Sequence, residues 1–332
     1  MPTIDLHAHL IDRAAIAILN GRFPELCPAL STGPDGYFLT YPGRPALGPV
    51  PASMFEVEAR LADMDRDGID RQVVAVPPPQ LLYQLDSAAG ATCARVQNEA
   101  AMEVSRLHPD RIHVFGTLPL QDPEAAVREV AHLAKERRVR GVQIGTNING
   151  GNLDDPALDP VWATLSEAGL PVWVHPDQRT VAGADRLSSY YLVNLVGNPL
   201  ESTIAMAALV FGGVLERHRA LRFGFVHGGG FTPYQLGRWD HGWSRRSEPR
   251  RHIARTPSEY VERMYFDTLT HDDTALAFLG ARVGWERVVL GSDHPFDMAT
   301  PDPVAAVRRL GLPEREQAAV LGGNAARFLR AI

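Results

Sequence analysis

His7-Ala8-His9 is the first point in the chain where two good metal ligands stand together. Side chains two apart on a strand project to the same side, so both imidazoles can meet one cation. In a chain with twelve histidines a single His-x-His is a weak signal. Three further segments strengthen it. Val172-Trp173-Val174-His175-Pro176, Phe225-Val226-His227-Gly228-Gly229-Gly230 and Leu290-Gly291-Ser292-Asp293-His294-Pro295 each lead from an apolar run into a histidine or an aspartate. Taken singly, His175 and His227 read as core histidines bonded to a backbone carbonyl, and Asp293 as the cap of a following helix. Convergence of the strand ends gives the sharper reading: four histidines and one aspartate form a metal ligand set with a base to spare.

The elements that would bring them together are legible as an alternation. Eight short apolar runs, Thr3–His7, Arg71–Val76, Ile112–Leu118, Gly141–Gly145, Pro171–His175, Leu221–His227, Met264–Thr268 and Arg287–Gly291, are separated by segments with helical spacing such as Met54–Asp67, Thr92–Leu107 and Pro123–Arg138. Two more helices, Asp302–Leu310 and Glu314–Ile332, close the chain. Eight strands alternating with helices predict an α/β fold, a (β/α)8 TIM-like barrel in one domain over residues 1–332. Ligands then sit at the C-terminal ends of strands one, five, six and eight. Residues 13–52 form an insertion after strand one, and the Gly and Pro density of 21–51 predicts neither a regular helix nor a central strand there. A long loop on that face is expected to cover the site.

Composition excludes other classes. The chain has 332 residues, is 45% hydrophobic and 22% charged, and carries a formal net charge of −6, which removes the positive field that nucleic-acid or anionic-membrane binding needs. Only Cys27 and Cys93 occur, too few for a disulfide framework. The N-terminal residues lack a leader-like apolar stretch, and a cytoplasmic protein with a small-molecule partner is expected.

The ligand pattern resembles the amidohydrolase superfamily of metal-dependent barrels, and further strings are similar to its decarboxylase branch: Leu118-Pro119-Leu120-Gln121-Asp122, Val142-Gln143-Ile144-Gly145, Leu236-Gly237-Arg238, Pro257-Ser258-Glu259-Tyr260-Val261 and Gly323-Asn324-Ala325. The resemblance implies that His7, His9, His175 and Asp293 hold one metal and its water, and that His227 is the general base. It also implies that Asp293 returns a proton and that Arg44 and Arg238 grip substrate carboxylates. Arg238 would be donated across a homodimer interface, with Trp239 and Trp243 as interface aromatics. Two-metal relatives carry a carboxylated lysine at the end of strand four. Here the only lysine is Lys135, and that strand ends Gln143-Ile144-Gly145-Thr146, so one metal per chain is expected. Nitrogen and oxygen ligands suit Zn2+, and Mn2+ also fits.

The implied reaction is loss of carbon dioxide, without an oxidant, from a small unsaturated or aromatic carboxylic acid, with a metal-activated water deprotonated by His227. The same centre could open a lactone or cyclic amide or add water to a double bond, which keeps a hydrolase or hydratase as the alternative. A metal-binding scaffold without catalysis fits less well, since a structural site needs no free base. Four features depart from the branch: Asp177 replaces a tryptophan, Tyr190 or Tyr191 takes the place of another, His294 replaces a tyrosine, and a lysine of the first loop has no counterpart.

Overall fold

The computed structural model describes residues 1–330. The final two residues of the expected Glu314–Ile332 helix, and of the 1–332 domain, lie outside the described residues. In chain order the strands are β1 (Ile4–His9), β2 (Ala29–Gly33), β3 (Gly36–Thr40), β4 (Leu47–Val50), β5 (Arg71–Ala75), β6 (Ile112–Thr117), β7 (Val139–Gly145), β8 (Val172–His175), β9 (Phe223–Phe225), β10 (Tyr265–Asp267) and β11 (Val288–Val289). β1 and β5 to β11 pair in that order as one parallel sheet of eight strands, each at one of the expected places. The segment after β11 returns to β1. Leu6 N–H donates to the Leu290 carbonyl at 2.9 Å, His9 N–H to the His294 carbonyl at 2.8 Å, and Asp293 N–H to the His7 carbonyl at 2.8 Å. These bonds nearly close the barrel and place Asp293 against the His-x-His.

Alternation along the strands separates two cores. Outward-facing Val74, Val114, Val142, Val172 and Phe223 pack under the helices. Inward-facing Leu6, Val73, Phe115, Trp173, Val226 and Val289 fill the barrel together with Phe328 from the short helix Asn324–Phe328. Phe328 contacts Phe115, Trp173 and Tyr265. The C-terminal segment therefore plugs the N-terminal end of the barrel, and the chemistry is left to the other end.

The helices start where the sequence supplies a cap. Asp86, Asp122 and Asp272 each accept from backbone N–H groups of the first turn of Ser87–Leu107, Pro123–Leu133 and Asp273–Val283. Two expected helices are shorter than the spacing suggests. Pro123–Arg138 ends at Leu133, because Lys135–Arg138 turn the chain into β7. Glu314–Ile332 is broken into Glu314–Ala318, a wide turn at Ala319–Gly323, and Asn324–Phe328. At Gly322 a Cβ would come within 2.0 Å of the Pro2 carbonyl oxygen, so the break admits the N-terminal strand. The helical run Val193–Phe211 has the length and mean hydropathy of a membrane span. Its Ala205, Met206, Leu209 and Val210 face is buried in the barrel's outer core instead.

The insertion corrects the expectation of an irregular segment. A helix, Arg13–Arg22, begins at its cap Asp12, and β2, β3 and β4 form an antiparallel sheet with β3 in the centre. The prolines fall where a sheet tolerates them: Pro34 in the β2–β3 turn, Pro42 and Pro45 in the β3–β4 turn, and Pro49 on an edge strand. Leu39 and Val50 of this sheet pack with Ile11, Ile16, Met54 and Phe55, and Tyr41 and Phe296 join the same cluster.

Candidate metal centre

Each ligand histidine is oriented by what its Nδ1 touches. His7 Nδ1 lies 2.7 Å from Asp267 Oδ2, His175 Nδ1 lies 2.8 Å from the Pro176 carbonyl, and His9 Nδ1 lies 3.4 Å from the Val76 carbonyl. Carbonyl and carboxylate oxygens only accept, so these contacts place a proton on Nδ1 and turn the Nε2 lone pairs inward. The three inward nitrogens, of His7, His9 and His175, face Asp293 Oδ1 at 3.1, 3.1 and 4.0 Å. One ligand atom from each of the four residues lies within 4.8 Å of all the others. His7 Nε2 and His175 Nε2 are buried with no hydrogen-bond partner. Inward lone pairs around a buried carboxylate are what a divalent cation requires, and the residues fit it.

Electrostatics reflect the same packing. Burial pushes His175 down to about 3 and also lowers His9. Burial opposes the charged form of His7 as well, but Asp293 and Asp267 outweigh it and raise His7 to about 10, so a cation at this centre must displace a proton from Nε2 as it binds. Burial likewise opposes ionisation of Asp293, yet the histidines around it, His7 foremost, hold its carboxyl well below the usual range.

His227 stands beside this cluster and outside the four-ligand set. Its Nε2 is 3.6 Å from Asp293 Oδ2, its ring centre is 5.3 Å from that of His7 and 5.1 Å from that of His175, and its Nδ1 is buried without a partner. The backbone here is left-handed for four residues, with φ of 54° at His227, 60° at Gly228, 77° at Gly229 and 64° at Gly230. Glycine adopts that conformation freely, whereas for a histidine the strain is about 1–3 kcal/mol. Asp293 is the second non-glycine residue of the site held there, at φ 63°. No helix follows Asp293 until Pro303, so it caps nothing and its carboxylate faces the histidines.

Several contributing residues were not singled out from sequence. Asp267 orients His7 with Oδ2 while its Oδ1 accepts from Gly228 N–H at 2.8 Å and Leu269 N–H at 3.1 Å, tying the His7 ring to the His227 turn. Gly291 makes room for that contact, because a Cβ there would lie 2.7 Å from the Asp267 Cβ and 2.9 Å from the His7 Cβ. Asp5 accepts from His7 N–H, Ser292 N–H, Ser292 Oγ and Gln72 Nε2, and buried Arg60 donates to Gln72, to the Ser53 carbonyl and to the His9 carbonyl. A carboxylate at the end of strand seven was the available signal for Asp267. Asp5, Gln72 and Arg60 carry none that spacing reveals.

The remaining expected residues stand outside the ligand cluster. Arg44 is exposed in the β3–β4 turn, where its N–H donates to the Tyr41 carbonyl at 3.0 Å. Arg238 is exposed on Thr232–Arg245. On that helix Trp239 packs on Phe211, ring centres 5.4 Å apart, and both Trp239 and Trp243 rest against the barrel's own core. Each indole thus covers apolar surface of the same chain and is only partly buried by it. His294 turns away from the ligands to Asp63, at 2.9 Å. Tyr191 reaches Asp297 at 3.4 Å. At the end of β7, Gln143 donates to the Val76 carbonyl, the acceptor it shares with His9.

Fold and ligand set define a metal-binding (β/α)8 barrel with an unligated histidine at its mouth. The amidohydrolase family pattern matches residues 4–331. The chain is 33% identical over 284 residues to 2-amino-3-carboxymuconate-6-semialdehyde decarboxylase of Dictyostelium discoideum, covering 84% of this chain and 78% of that protein. It superposes on 5-carboxyvanillate decarboxylase of Sphingomonas paucimobilis with a TM-score of 0.85, at 24% identity, over 100% of this chain and 99% of the other. For a dihydroxybenzoic acid decarboxylase of Polaromonas sp. JS666, crystallised with bound manganese, the TM-score is 0.80 at 20% identity, over 98% and 96%. The chain belongs to the amidohydrolase superfamily, in its decarboxylase branch.

Proposed function

We propose that this protein removes carbon dioxide from a small unsaturated or aromatic carboxylic acid of the 2-amino-3-carboxymuconate-6-semialdehyde kind. At the coarser level it is a metal-dependent decarboxylase of a small carboxylic acid. The observation that carries the reading is the unligated imidazole of His227 set against a complete four-residue ligand cluster. His7, His9, His175 and Asp293 would hold the divalent ion. When bound there, such an ion supplies Lewis acidity and brings the pKa of a water from 15.7 to about 7. His227 would take a proton from the water that adds to the substrate, and Asp293, in contact with His227, would pass that proton to the substrate carbon; the C–C bond then breaks, carbon dioxide leaves and the added hydroxide is expelled, so that a C–H bond has replaced the C–C bond. We further propose that the insertion caps this mouth, that Arg44 and Arg238 meet substrate carboxylates, and that Arg238 acts from the second copy of a homodimer. A cytoplasmic location is part of the same proposal. Zinc is the proposed ion on ligand chemistry, and the manganese of the Polaromonas protein makes manganese the other to load.

The test is carbon dioxide release from a panel of muconate semialdehydes, hydroxybenzoates and lactones, using protein loaded separately with zinc and manganese. About one ion per chain and chelator-sensitive carbon dioxide release are expected. Ring opening or hydration without carbon dioxide across the panel would instead establish the hydrolase or hydratase reading.

A further inference from the structure

Two residues after the ligand His175, a buried aspartate holds an arginine. Arg179 donates from Nε to both carboxylate oxygens of Asp177 at 3.0 Å and from Nη2 to Oδ2 at 2.6 Å, and its backbone N–H also donates to Oδ1 at 3.0 Å. The Asp177 side chain is 10% exposed and that of Arg179 only 18%. Burying an ion pair costs desolvation that two partners alone rarely recover, so one kept at the mouth of a site calls for a further partner. The guanidinium is fixed along one edge while its Nη1 makes no hydrogen bond among the described residues.

The surroundings place this fork on the wall of the site. Gln178–Thr180 packs on Pro78–Gln80, and Gln80 donates to the hydroxyl of Tyr41. Burial raises the Tyr41 phenol to about 12, and the charges of Arg179 on the barrel side and Arg44 in the insertion both oppose that rise. Tyr41 shares a cluster with Phe296, whose ring lies 5.0 Å from that of His9. A preset fork with one edge still open complements an anion, and it stands apart from the four-residue ligand cluster.

We propose that Arg179, oriented by Asp177, is a specificity-determining residue that selects acids carrying a second carboxylate or comparable anionic group. The inference rests on the decarboxylase reading for what is bound, and it is tested by binding, so that absence of carbon dioxide release would count against that reading alone. Affinities of the metal-loaded protein for benzoate and for isophthalate are measured by calorimetry, in the wild type and in Arg179→Gln. Isophthalate is expected to bind the wild type at least about tenfold more tightly than benzoate. Arg179→Gln should lose about 10- to 100-fold in isophthalate affinity while benzoate changes by less than about threefold. Should Arg179→Gln lose its circular dichroism signature, Arg179→Lys is the substitute. It keeps the charge without the fork, and part of the preference should survive. A wild type without the preference, or a folded variant that retains all of it, overturns the proposal.

Discussion

Replacing Asp267 with asparagine exchanges one oxygen for an amide nitrogen, and the contacts around the side chain determine which oxygen is lost. The Oδ1 position accepts from two backbone N–H groups, those of Gly228 and Leu269, so the asparagine oxygen stays there and its amide nitrogen faces His7 Nδ1. Flipping the amide would set donors against both N–H groups and is the costlier arrangement. Donor then meets donor at the 2.7 Å contact, and His7 relieves it by moving its proton to Nε2, the nitrogen that faces Asp293 and would ligate the ion. Loss of such an orienting partner weakens metal binding by about 10- to 100-fold, which is about 1.4 to 2.7 kcal/mol. Competition with a chromophoric chelator gives the dissociation constant, and circular dichroism confirms the fold. A folded Asp267→Asn protein binding its ion within about threefold of the wild type would refute the argument that Asp267 sets the His7 tautomer.

Two further outcomes test the proposed roles of His227 and Arg238. His227→Ala should keep its metal and lose turnover by about two to four orders of magnitude, whereas His175→Ala should lose the metal; equal metal loss in both, measured by elemental analysis, would make His227 a ligand. If Arg238 serves the partner's site, an equal mixture of Arg238→Ala and His227→Ala chains should recover about a quarter of wild-type sites after subunit exchange, because half the dimers are mixed and each holds one intact site. No recovery from dimers shown by mass to be mixed would place Arg238 in its own chain's site or outside it.

Residue type and local spacing were enough to pick out the four ligand candidates and His227 beside them. His7 and His9 are two apart on a strand, and His175, His227 and Asp293 each end an apolar run, so alternation and strand-end position follow from the chain alone. The alternation of strands and helices fixed the barrel for the same reason, since a parallel strand buried on both faces must be apolar and its crossover helix amphipathic. Tertiary structure decided what local pattern does not encode. Asp267, Gly291 and Arg60 act on residues 260, 284 and 51 positions away along the chain, through contacts that exist only once the strands are side by side. Trp239 and Trp243 look exposed on a helix until Phe211 and the barrel core are packed beneath them. In the insertion, proline density hid a sheet because composition counts prolines, whereas a sheet depends on which hydrogen bonds each one forfeits, and most of these lie in turns or at an edge. The ion pair near His175 is the extreme case. Asp177 and Arg179 are ordinary charges in the sequence, and only burial beside His175 makes them a directed donor.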